Sequence, residues 1–253
     1  MDRAPYHLPF TATRVPHCRC PHCGAGHLQL DAKNLLFKET VQSAADRNHA
    51  EWEPDWIRYV FSCIFQCSNA GCRGVISSCG SGQVQTVEYE DEEFGWVQNT
   101  EDLFTPKYFD PPLALLDVPD CCHPDACAHL YEACSLYFAD PGAAMNCARA
   151  AVEAVVTDLG VKRFANSNGK LKPINLHQRI LLLPPKFKEV IDLLLAIKWL
   201  GNAGSHDGKK PDTGDLRVTF DLLEHALAEV YDNKVKKLKA IAKKVNKKKG
   251  PLK

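Results

Sequence analysis

Two cysteine steps constrain the fold more than any other feature of the chain. Cys20-Pro21-His22-Cys23 is a Cys-x2-Cys step, and Cys67-Ser68-Asn69-Ala70-Gly71-Cys72 is a Cys-x4-Cys step with its own turn residues. Two thiolates from one tight turn can reach the same ion. The two steps together could therefore supply a tetrahedral zinc site, with sulfurs about 2.3 Å from the metal. Binding would stabilise a small β unit that has few other hydrophobic residues to hold it. Four protein ligands leave no position for water, so the expected zinc is structural rather than catalytic. The spacing leaves ligand choice open. His17, Cys18, His22 and Cys63 are near enough to substitute, Cys18-Arg19-Cys20 is an alternative pair, and Cys79 reads as an extra core residue. The competing reading is a set of unpaired core thiols.

The compartment decides between metal and disulfides. The chain has 12 cysteines in 253 residues, and Met1-Asp2-Arg3-Ala4-Pro5-Tyr6-His7 lacks the apolar stretch of a secretory signal. No apolar run approaches the roughly 20 residues of a membrane span. The expectation is a soluble, cytoplasmic protein in which clustered cysteines bind metal and scattered ones pack. Cys121-Cys122-His123 with Cys127 lacks a matching partner pair and reads as helix-start and core thiols. Cys134 and Cys147 fall on apolar helix faces.

The patterning gives an α+β fold in four parts. Residues 1–90 hold seven of the cysteines and β-prone runs such as Ile57-Arg58-Tyr59-Val60-Phe61 and Gln83-Val84-Gln85-Thr86-Val87, which suggest short strands of a β-rich zinc ribbon. Residues 91–119 are acidic, then aromatic and proline-rich, and read as an extended linker. Residues 120–232 carry helical periodicity. It predicts helices over about Asp125–Ala139 and Ala143–Leu159, from Leu176 to before Pro184, from Phe187 through Leu200, and after a cap at Asp215. The Leu-rich fourth helix should lie centrally, and Ala143, Cys147, Ala150, Ala151 and Ala154 form a small-residue stripe on the second.

The neutral net charge hides an asymmetry. Residues 233–253 form a basic helix or tail with ten lysines and no acid after position 233. Without them, 21 basic residues face 31 acidic ones, so the rest of the chain carries −10. Lys243, Lys244, Lys247, Lys248 and Lys249 are candidate phosphate contacts. Within the helical part, Asn202 and His206 stand four apart after a very apolar helix, which would put them on one face near the core. Asn146, Arg149, Glu153 and Thr157 form a polar ridge on the second helix.

Several segments carry a resemblance. They are the two cysteine steps, Tyr108-Phe109-Asp110-Pro111-Pro112, Ala148-Arg149-Ala150-Ala151-Val152-Glu153, Ile197-Lys198-Trp199-Leu200-Gly201-Asn202-Ala203-Gly204-Ser205-His206 and the lysine-rich end. Together they resemble the bacterial "domain of unknown function 4145" proteins, which are similar to the higher eukaryotic and prokaryotic nucleotide-binding (HEPN) superfamily of helical bundles. The resemblance implies an all-α HEPN-like bundle after the ribbon. Many HEPN proteins are metal-independent endoribonucleases of defence systems, acting as dimers through an Arg-(polar)-x3-His motif. By position, Asn202 matches the polar residue and His206 the histidine, but Gly201 occupies the arginine slot. A guanidinium there would stabilise phosphate charge while His206 acts as acid or base. Arg149, beside Glu153, or Lys198 would have to supply the cation.

Three functions follow as expectations. The first is a zinc-binding module for nucleic acid, nucleotide or a protein partner, in a phage-defence setting and as a homodimer. The second is an endoribonuclease using His206, Asn202, Arg149 and Glu153 across a dimer interface. The third is a structural or interaction protein without catalysis. The missing arginine puts the binding module first.

Overall fold

The structure, a computed structural model, describes residues 1–91, 95–203, 211–231 and 234–251. The chain is an α+β protein: a four-stranded antiparallel sheet in the N-terminal part, then a helical part. By internal packing it divides into two compact units. One comprises Met1–Leu115 with Tyr131–Ala144, the other Leu116–Leu130 with Met145–Lys253.

The sheet of the first unit is a meander in the order β1 (Leu28–Glu39), β2 (Arg58–Cys67), β3 (Val75–Asp91), β4 (Gly95–Asp110). Strict alternation on β2 buries Phe61, Cys63, Phe65 and Cys67 and turns Val60, Ser62, Ile64 and Gln66 the other way. The buried face carries an aromatic core. Phe10, Phe61, Phe65 and Phe104 are almost wholly enclosed, and the Phe10 ring lies 5.3 to 5.4 Å from each of the other three. Edge-on geometry between Phe10 and Phe61 suits the opposed charges of ring edge and face. Phe10 is tied to β4 by reciprocal backbone hydrogen bonds with Phe104, of 2.9 and 2.8 Å. A short helix α1 (Val41–Asp46) follows β1, capped by Thr40, whose side chain accepts from the Ser43 amide.

The stretch expected to be a linker is largely strand. β4 pairs with β3 from Asp110 to Gly95. Proline argues against a regular strand because it lacks an N–H. Pro106 is accommodated where the register slips between Cys79 and Gly80, a bulge that takes up the break in the ladder. The strands are also longer than the short ribbon elements expected.

Helix α2 (Pro124–Leu136) and helix α3 (Pro141–Asp158) follow. The end of α2 belongs to the first unit. Tyr137, just beyond it, is fully buried with its hydroxyl 3.0 Å from His7 Nε2, and Phe138 stacks at 5.3 Å on Phe109. Asp140 caps α3 by accepting from the Ala143 amide. The enclosed stripe of α3 is Ala144, Ala148, Ala151, Val152 and Val155, one residue out of phase with the expected Ala143, Cys147 and Ala150.

In the second unit, α4 (Leu176–Leu181) is capped by Asn175, and α5 (Lys188–Ala203) packs on α6 (Thr213–Tyr231). Only one stripe of α5 is enclosed, formed by Val190, Leu194, Ile197 and Gly201, so this helix is less central than its leucines suggest. The α6 cap is Asp212 rather than Asp215. Asp212 Oδ1 accepts from the Asp215 amide and Asp215 Oδ2 from the Asp212 amide, a reciprocal capping box. A two-stranded hairpin, β5 (Phe164–Ser167) and β6 (Lys170–Pro173), turns through Asn168 and Gly169, both at positive φ. The lysine-rich end forms α7 (Lys234–Lys248). Among the described residues, no helix is long and apolar enough to cross a membrane.

Replacing Phe61 with alanine removes the ring shared by β2, β4 and Phe10. Chemical denaturation should show a loss of about 3–5 kcal/mol. A loss under about 1 kcal/mol would mean the aromatic cluster does not hold the sheet.

Candidate metal centre and the polar helix face

The first cysteine loop is closed by a bridge between Arg19 and His27. Within it the Cys20 amide donates to Gly26 O at 2.8 Å, and the Gly24 amide to Cys20 O at 2.9 Å. Gly24 supplies the left-handed conformation that tightens the turn, at φ +63°. The second loop is the turn between β2 and β3, where the Cys67 amide donates to Gly74 O and the Cys72 amide to Asn69 O. The β1–β2 register sets Leu28 opposite Cys67, and the Ser68 amide donates to His27 O, so the loops meet at one end of the sheet.

That meeting brings together Cys20, Cys23, Cys67 and Cys72, whose sulfurs all lie within 4.8 Å of one another. Cys20 and Cys72 Sγ are 3.9 Å apart, and Cys23 and Cys67 Sγ 3.7 Å. Four sulfurs at about 2.3 Å from a central ion must stand ~3.8 Å apart, whereas a disulfide needs ~2 Å. All four are free thiols. The site therefore could bind a metal ion, and its donor set is compatible with zinc. Among the described residues it is the one group of three or more possible ligands so assembled.

The surroundings suit thiolates. The Gly26, Asn69 and Gly74 amides donate to Cys23, Cys67 and Cys72 Sγ, each at 3.4 Å. Backbone N–H groups of Gly26 and then Ala25 pull the exposed Cys23 thiol down to about 6, while burial pushes Cys67 up to about 12. Gly26 is required by space. A Cβ there would run into Cys67 Sγ and sit 2.9 Å from Asn69 Cβ.

The other cysteines stay apart. Cys18 and Cys63 are buried and pushed up to about 12 by desolvation, as inert core thiols are. His17 stacks on His27 at 4.5 Å, and His22 Nε2 lies 3.4 Å from Val75 O; neither joins the sulfur group. Cys79, expected in the core, faces outward. It stands on the parity of Ser77 rather than of the buried Ile76 and Ser78. Cys121 donates to Tyr231 O, Cys127 to Cys122 O, and Cys122 is buried. Cys134 is buried, whereas Cys147 is only half-buried.

On the polar face of α3, Arg149 Nη1 bonds Glu153 Oε1 at 2.7 Å, with both side chains about one-third exposed. Gly201 of α5 lies against this helix. A Cβ at that position would stand 2.7 Å from Arg149 Cβ and 2.9 Å from Met145 O. The position that resembles an arginine slot is thus closed by helix packing, not merely vacant. Asn202 follows, half-buried, near the end of α5; His206 lies outside the described residues. The pattern gave no warning of Arg179, the one cation in an apolar run on α4. It is 3% exposed, and its Nη2 donates to Thr157 Oγ1 at 2.6 Å and Val161 O at 3.2 Å. Lys243, Lys244, Lys247, Lys248 and Lys249 are all exposed at the end of α7 and just beyond.

Fold and site together define an α+β protein with a four-cysteine clamp at one end of an antiparallel sheet. Residues 131–248 match the family described as Domain of unknown function (DUF4145), and residues 8–109 match the one described as Domain of unknown function (DUF8608). No curated protein and no solved structure matches the chain.

The full chain should purify with about one metal ion bound. Cys20→Ser is expected to lower this to near zero and to reduce the thermal midpoint, as read by elemental mass spectrometry and calorimetry. Equal metal content in the two proteins would contradict the clamp.

Proposed function

We propose that the chain is a nucleic-acid-binding module, in which structural zinc held by Cys20, Cys23, Cys67 and Cys72 fixes the sheet and a HEPN-like helical part presents lysines to phosphate. The observation that carries this reading is the exposure of Lys243, Lys244, Lys247, Lys248 and Lys249 within a terminal segment that has ten lysines and no acid. Such a segment attracts a polyanion and releases its counterions. Four thiolates with no open position suit a structural ion rather than a catalytic one.

Binding without cleavage is favoured by the packing at Gly201. An arginine there would need α3 and α5 to separate. One observation supports the endoribonuclease alternative through His206, Asn202, Arg149 and Glu153. The Arg149 stem runs beside Gly201, so a cation reaches that neighbourhood from the opposite helix, although Glu153 engages it. A homodimer belongs to the same reading, supported by exposed Leu181, Leu182 and Trp199 in the helical part. Light scattering at micromolar concentration should give twice the chain mass; a monomer would remove the dimer.

Fluorescence anisotropy with single-stranded RNA at several salt concentrations tests the binding reading. Replacing the five lysines with glutamine should flatten the log–log salt slope by about 0.7 for each phosphate no longer neutralised, and weaken binding about tenfold or more at low salt. An unchanged slope and affinity would contradict it. Cleavage of the RNA in EDTA by the natural chain, absent in His206→Ala, would replace it with the nuclease.

A further inference from the structure

The lower half of α3 carries more positive charge than its carboxylates neutralise. Glu153 is engaged by Arg149, and Asp158 Oδ2 accepts from the Tyr231 hydroxyl at 2.7 Å. Arg163, just beyond the helix, and Arg179, on α4, form no ion pair with any described residue. Arg163 is exposed, where water satisfies it. Arg179 is not. It is 3% exposed, its acceptors are neutral oxygens of Thr157, Val161 and Glu153, and its buried Nε has no acceptor. A buried charge is ordinarily paired, because desolvation costs several kcal/mol and neutral oxygens repay only part of that cost. Burial, and next the Arg163 charge, also lower the Arg179 pKa, the direction expected of a cation lacking a counter-ion.

The hydroxyl that caps Arg179 stands in the wall of a cavity. Thr157 lines it together with Arg163, Asp158, His123, His129 and Asp125, in a volume of about 480 Å³. Thr157 Oγ1 donates to Glu153 O and accepts from Arg179, so the Arg179 charge stands directly behind that wall. The two carboxylates do not cancel it. Asp158 is held by Tyr231, and Asp125 is 79% exposed beside His123 at 3.8 Å.

We propose that this cavity binds a phosphate group. Arg163 makes the direct, fork-shaped contact, His123 and His129 supply further donors, and Arg179 acts as a positioning residue that provides fixed positive potential through Thr157. The volume exceeds a single phosphate and suits a phosphate carried on a larger molecule. This site is separate from the α7 lysines and stands or falls independently of them.

Calorimetric titration of the full chain with pyrophosphate, with a nucleoside triphosphate and with short single-stranded RNA tests the site. Arg163→Ala removes an exposed, unpaired side chain, so its thermal midpoint should equal that of the natural chain while affinity falls about tenfold. If pyrophosphate and the nucleotide lose affinity, the ligand is a free phosphate compound; if only RNA does, it is a backbone phosphate. Arg179→Met gives the readout that a merely structural arginine would not. Without ligand it should melt at the same temperature or higher, since an uncompensated buried charge has been removed, yet bind the same probe about tenfold more weakly. The five-lysine variant of α7 should keep its pyrophosphate affinity. Arg163→Ala binding every probe as the natural chain does would overturn the proposal, and so would no probe binding at all. Arg179→Met melting lower with affinity intact would overturn the role given to Arg179.

Discussion

The pairing of Leu28 with Cys67 is the contact on which the N-terminal unit depends. It sets the register of β1 on β2, and so carries the loop before β1 onto the turn after β2. Every sulfur distance follows from that placement. Neither loop could hold an ion alone, because each supplies two thiolates. Joined, they bring four sulfurs within 4.8 Å and direct three backbone amides at them. The same strand pair presents Phe61 and Phe65 to Phe10 and Phe104, so the clamp and the aromatic core stabilise a single register. A slip of one residue would turn Cys67 and both rings outward together, a strong penalty against alternatives.

The helical part follows a different logic. Its close approach at Gly201 brings α5 against Arg149 and Met145, which excludes a side chain where the resemblance would seek a catalytic arginine. Meanwhile Arg179 is enclosed without a carboxylate partner, at a cost to stability that apolar packing would avoid. Sites that retain such a cost are where binding is to be sought. Positive charge thus stands in two places, behind the Thr157 wall and along the lysines of α7, and both suit phosphate.

The sequence reveals the features set by local chemistry. The cysteine steps are legible because a tight turn fixes which thiolates can share an ion, and the helices because their apolar period persists over several turns. Features set by pairing are harder to read. Cys79 faces out because β3 buries Ile76 and Ser78, a parity visible only once β2 is its neighbour. The acidic, proline-containing stretch becomes β4 because a bulge absorbs Pro106 and β3 supplies a full-length partner. The β5–β6 hairpin carried a usable signal in Asn168-Gly169, a dipeptide suited to two successive positive φ values. Arg179 carried none, because a lone arginine on an amphipathic helix ordinarily reaches water. Asn202 is half-buried near the end of α5, while the face it would share with His206 lies outside the described residues.

X-ray absorption at the edge of the metal bound to the full chain tests the clamp most directly. The geometry requires a single shell of four sulfur scatterers at about 2.3 Å, with no nearer nitrogen or oxygen. A shell containing two or more nitrogen or oxygen neighbours, or a purified chain with no metal edge, would contradict it.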